Sequence, residues 1–207
     1  NFPQCINGIV SAKAEGYVVS EQIVSTNSPQ TVNLVLDKLY ELDVNVVSGG
    51  LPISRNSEDI VIINFVGERY QTSLIYPQQT KINLAEGLYN VSVKVFSEGN
   101  LITPSSSQTN CVDIPAPGIF GFLGKTNEQC FTVDLPSQNL DRVLSAGGNS
   151  EEFILENELK NSNSLDISVF SFPRSNSLEQ IQQNYELLEV NGVNLDFKWG
   201  NWKTDEK

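Results

Sequence analysis

The chain has 207 residues, 39% hydrophobic and 18% charged, with 13 Lys plus Arg against 25 Asp plus Glu and a net charge of −12. Such a composition is too apolar for a disordered chain, and no apolar run reaches the ~18 residues that a membrane span requires. An acidic surface with no basic run repels phosphate backbones, so the charge argues against nucleic acid as a partner and is read as serving solubility.

The length accommodates one large or two to three small domains. The chain starts at Asn1 and contains no Met, as expected of a processed or excised piece, and its first residues lack the basic-then-apolar layout of a signal peptide. In chain order, residues 9–14 and 17–25 read as strands separated by a turn at Glu15-Gly16. Asn27-Ser28-Pro29-Gln30 is turn chemistry. Beyond it Val32, Leu34 and Leu36 alternate with polar positions, which predicts a third strand over residues 31–36.

Ala14, Gly16 and Tyr17, followed by Thr31, Val32, Leu34 and Leu36, carry a resemblance. This strand, A-x-G-Y, strand, polar turn and T-V-x-L-x-L is similar to the closing strands of carboxypeptidase-regulatory-like domains, the transthyretin- or prealbumin-like β-sandwiches. The likeness covers residues 1–37 and lacks the earlier strands of that family. It implies a non-catalytic module of a secreted or cell-surface protein.

From residue 38 to 100 a second β-sandwich module is expected. Tyr40, Leu42, Val44 and Val46 share one face of a strand that ends at Ser48-Gly49-Gly50. After a polar loop over residues 51–59, the near-continuous apolar run 60–66 predicts a strand buried on both faces. Residues 70–76 form another strand, closed by Pro77. The clearest signal in the chain is the stretch 75–96, where Ala85-Glu86-Gly87 turns into a strand with Tyr89, Val91, Val93 and Val95 on one side. Its turn and strand, E-G-L-Y-N-V-S-V, resemble the G-x-Y-x-V-x-V strand of the same sandwich families. Asn90-Val91-Ser92 is an N-glycosylation sequon within it.

Residues 101–110 read as a linker, and 111–199 as an α+β domain followed by a tail over 200–207. Within the domain, strands are predicted at 111–114, 130–135, 153–155 and 165–172. Ser137, with apolar positions 140, 143 and 144 and Gly147-Gly148 beyond, predicts a short helix over 137–144. Ser177-Leu178-Glu179-Gln180 is a capping box that opens a second helix. Asn191-Gly192 is a hairpin signal that competes with this helix for residues 186–190, and the hairpin is given precedence.

Catalytic and metal chemistry find little footing. With no His, ordinary zinc ligation and the usual nucleophile–base pairs are not available, and no CxxC occurs. Glu58-Asp59 and Glu151-Glu152 are not set in a D-x-D-x-D-G loop and read as solvated charges rather than Ca²⁺ ligands. Cys111 and Cys130 flank a turn-rich segment. Bridging them would restrict its unfolded freedom by about 3 kcal/mol, the alternative being two buried thiols in strands. The bridge is the expectation, and with it an oxidising, extracytoplasmic setting. Cys5 is then the odd one, its role left open.

Phe120 and Phe122 lie in the apolar, Gly-flanked run 119–123, which is either buried against a neighbouring domain or exposed as a partner contact. The whole reads as a mostly β protein of tandem antiparallel sandwich modules with a small α+β C-terminal region. Its expected role is a non-catalytic scaffold and contact region of an extracellular or cell-surface protein, with no cofactor. The expected partners are other domains of the parent protein or neighbouring copies. The alternative is a carbohydrate- or ligand-binding accessory module, with Tyr70, Tyr76 and Tyr89 as candidate ligand aromatics.

Overall fold

A computed structural model describes residues 5–103, 105–115, 126–190 and 194–201. The chain is mostly β, with its helices toward the C-terminus. β1 (Gly8–Ala12) and β2 (Ser20–Val24) form a separate two-stranded antiparallel sheet, with Ile9 and Ile23 paired and exposed. Residues 31–36 keep the expected alternation, Val32, Leu34 and Leu36 being half-buried, but they form no strand ladder with any of the described residues. The following residues are held by Val18 N–H donating to Asp37 O at 2.8 Å and Leu39 N–H donating to Gly16 O at 2.8 Å.

Two larger layers enclose the core. The first contains β3 (Tyr40–Ser48), β4 (Leu51–Pro52), β7 (Lys81–Leu84), β12 (Ser162–Ser171) and β13 (Asp196–Asn201). The second contains β5 (Ile60–Gly67), β6 (Gln71–Tyr76), β8 (Gly87–Thr103) and β11 (Gln138–Ile154). They join where β11 meets the end of β12, at Ala146 opposite Ser171 and Gly147 opposite Phe170. β3 and β12 run parallel, and the other pairings are antiparallel. Leu42, Val44, Val46, Leu165 and Ile167 from the first layer share one core with Val61, Ile63, Phe65, Val91 and Val93 from the second. Each strand places alternate side chains inward, so apolar residues two apart meet those of the facing layer.

Several expectations are corrected here. The run 60–66 is buried on one face only: Val61, Ile63 and Phe65 are inside, while Ile60 and Ile62 are half-buried and Val66 is exposed. Residues 138–144 are strand, not helix. They belong to β11, whose register against β8 shifts between Leu140 and Arg142 and again between Leu144 and Ala146. Those bulges offset the strand period, so Leu140, Val143 and Leu144 imitate a helical face. Gly147-Gly148, read as a helix stop, lies inside the strand instead.

The division at 101–110 also fails to mark a break. Residues 101–103 end β8, β9 spans Ser106–Pro115, and strands from either side of that division pair with each other through β8–β11 and β3–β12.

Among the described residues the two helices pack on different strands, the first against β3 and β12 and the second against β11. α1 (Glu156–Asn161), which was not anticipated, buries Leu159. α2 (Leu178–Val190) runs through residues 186–190, where the hairpin had been favoured; Asn191-Gly192 lies outside the described residues. Ser177 caps α2, its Oγ accepting from Gln180 N–H at 3.3 Å. Helical spacing puts Asn184 and Leu188 on the buried side. Asn184 Nδ2 donates to Ser175 Oγ at 3.0 Å and Pro173 O at 3.1 Å, which satisfies the polar group the helix buries. Leu188 seats on the outer face of the second layer with Leu144 and Phe172. Trp199, at the end of the expected α+β domain, lies in β13 and packs against the core, and β13 runs on through Gly200 and Asn201 of the expected tail.

Candidate functional site: a disulfide-stapled β arm

β8 is 17 residues long, but its neighbour β5 begins at Ile60, opposite Phe96. Beyond that point β8 pairs with β11 alone. At the bulge, Gly99 lies so close to β11 that a Cβ on it would fall 2.8 Å from Val143 Cγ1, which explains the glycine. Outward of the bulge the ribbon continues as β9 and β10 (Thr126–Leu135), which pair over ten residues from Thr126 opposite Pro115 to Leu135 opposite Ser106. Ten residues of strand span roughly 30 Å. Among the described residues β9 and β10 pair with each other alone, and each of their residues whose side chain is described is exposed.

The register sorts this arm into two unlike faces, since directly opposed residues share a face. On one, Val112 and Ile114 of β9 and Phe131 and Val133 of β10 stand 40–50% exposed, although they are apolar. Polar residues share that face: Gln129 opposite Val112, Asn110 opposite Phe131, and Gln108 opposite Val133. The other face is polar. Thr109 and Thr132 meet through their hydroxyls at 3.1 Å, Asp113 stands opposite Glu128, and Cys111 is bonded to its direct partner Cys130.

Like charges directly opposed weaken a strand pair. The disulfide, two residues from Asp113 and from Glu128, offsets that repulsion and fixes the register where no third strand helps. Asp113, Glu128 and Asp134 are acidic, and the described arm residues include no Lys or Arg. At the root, a cleft of about 400 Å³ opens between Asp59, Glu98, Ser145, Phe172 and Arg174.

The other sequence candidates fall elsewhere. Phe120 and Phe122 lie outside the described residues. Tyr76 and Tyr89 are not available to a ligand: each is 2% exposed, with hydroxyls donating to Ile53 O at 2.8 Å and Ala85 O at 3.0 Å. Both belong to the inward set of their strands, and burial pushes the Tyr89 phenol up from its usual range. Tyr70 is half-buried against the same core, so the three do not form an exposed aromatic platform. Asn90 is exposed on the outer face of β8. Cys5 is an exposed free thiol. Among the described residues, the one grouping of three metal-ligand-type side chains is Cys111, Glu128 and Cys130, and its two sulfurs are bonded to each other.

A further polar cluster ties α1 to β3. Tyr40 OH donates to Glu156 Oε1 at 2.9 Å, and Lys160 Nζ lies 2.7 Å from Glu156 Oε2. Lys160 first, and then Tyr40, hold the Glu156 carboxyl below its usual range.

Reading the sequence found both arm strands in part but missed that they form one ribbon with β8 and β11. The signal was the pair of alternating patterns placed symmetrically about Cys111 and Cys130. No protein-family model, curated protein or solved structure matches the chain. What the fold and the arm define is a class: a β-sandwich from which a stapled two-stranded ribbon projects.

Proposed function

We propose that the chain is a non-catalytic scaffold and contact region of an extracellular or cell-surface protein, and that the β9–β10 arm is its contact element. The observation that carries this reading is the arm itself: a ribbon whose described side chains are all exposed, with Val112, Ile114, Phe131 and Val133 among the polar residues of one face and a cross-link through the other. A two-stranded ribbon is marginal by itself in water, so a covalent staple on one whose described side chains are all exposed fits an element kept rigid for another molecule. An exposed disulfide fits an oxidising setting, and no helix among the described residues is long and apolar enough to cross a membrane. The paired strands β1 and β2 support the likeness to the closing part of a carboxypeptidase-regulatory-like module, while residues 31–36, its expected third strand, lie in no strand. The carbohydrate-binding alternative loses its support with Tyr76 and Tyr89 in the core.

The test is site-specific photo-crosslinking in the cells that make the protein. A photoreactive residue at Val112 or Phe131 is expected to yield a defined adduct with another protein or a second copy, while one at exposed Val35 yields none. Equal, diffuse labelling from all three positions would remove the contact role.

A further inference from the structure

Asn90 points outward from the middle of β8, with β5 on one side and β11 on the other. Its direct partners are Val66 and Glu151, and all three are exposed. One step toward the start of the strand, Leu88 stands opposite Phe153 on the same face. Val66, Leu88 and Phe153 are 49%, 50% and 54% exposed, a bare apolar patch with Asn90 at its corner. α2 does not cover it, because that helix seats farther along β11, at Gly147 and Asn149. Beside the patch a shallow depression of about 400 Å³ is bordered by Val66, Asn90, Ser92, Asn149 and Glu151.

We infer that Asn90 is an N-glycosylation site and that the first sugars of the glycan lie over Val66, Leu88 and Phe153. Asn90-Val91-Ser92 supplies the acceptor triplet. The fold supplies what a chance triplet lacks: an asparagine aimed at solvent, room beside it, and apolar surface suited to the non-polar face of a sugar ring. Transfer joins Nδ2 of Asn90 to the anomeric carbon of an oligosaccharide carried on a lipid phosphate. The bond from that carbon to the phosphate oxygen breaks, and the lipid phosphate and the amide proton leave. Val91 is buried and β8 is flanked on both sides, so transfer precedes the closing of the sheet, and folding then leaves the glycan outside.

The inference rests on the extracytoplasmic setting proposed above. Mass spectrometry of the peptide containing Asn90, from protein isolated from its own cells, is expected to show a glycan that a peptide amidase removes, leaving Asp. In a eukaryotic secretory host Asn90→Gln and Ser92→Ala are expected to lose that mass and Ser92→Thr to keep it. Hydroxyl-radical labelling of Phe153 is expected to fall in the glycosylated form. Secreted protein with Cys111 and Cys130 bridged but Asn90 unmodified overturns the site alone, whereas cytosolic protein with both cysteines reduced overturns the setting. Undiminished labelling of Phe153 in glycosylated protein overturns the covering of the patch.

Discussion

Tyr89 shows how a single position binds local pattern to core. Its ring meets Phe65 edge-on at 6.1 Å, and its hydroxyl reaches back to Ala85 O at the turn that starts β8. Tyr89→Phe keeps the packing and removes the bond, so a loss of about 1 kcal/mol is expected in urea unfolding. Gly147 is the opposite case, a position defined by what it leaves out. A Cβ there would stand 2.7 Å from Val93 O and 3.0 Å from Leu188 Cδ1. Gly147→Val is therefore expected to cost about 1–3 kcal/mol or more and to loosen α2, read as faster amide exchange over that helix.

At the scale of elements, the arm and α1 respond to different conditions. Replacing Cys111 and Cys130 together by Ser leaves the ribbon to its strand pairing and the Thr109–Thr132 contact. Amide exchange is expected to rise sharply over residues 106–115 and 126–135, while β3, β5 and β12 exchange as before; an unchanged arm would show that its strand pairing suffices. At α1, the folded state holds Glu156 below the ordinary carboxylate value of 4.5. A depressed folded value contributes stability above the unfolded one and loses it as pH falls through the folded one. Stability is therefore expected to decline as the medium is acidified below about that ordinary value, and Glu156→Gln is expected to flatten this acid limb in thermal melts.

At the scale of the molecule, the two layers are built from segments far apart in the chain. β3 depends on β12 and β8 on β11, so each half of the sequence covers apolar surface of the other. A fragment ending at residue 100 would leave Val44 without β12, and Val93 and Val95 without β11. It is expected to lack the dispersed amide spectrum of a folded β protein, whereas the full chain unfolds in one transition. A folded fragment would restore the division into independent modules.

Alternation of side chains by itself determined the mostly β class and the inward faces of β3 and β8, because a period of two is a local property that needs no knowledge of partners. The spacing of Cys111 and Cys130 about a turn-rich segment likewise carried the disulfide. Which strands pair was decided only in three dimensions. Val61 and Ile62 are equally apolar, yet β8 and the facing layer bury the first and leave the second half-open. Leu140, Val143 and Leu144 have helical spacing, but the bulges against β8 draw them into a strand. Pairing energy comes from residues more than a hundred positions away, as between β3 and β12, and no window along the chain contains it. For the same reason the arm is visible only once β8 is seen to run past the end of β5.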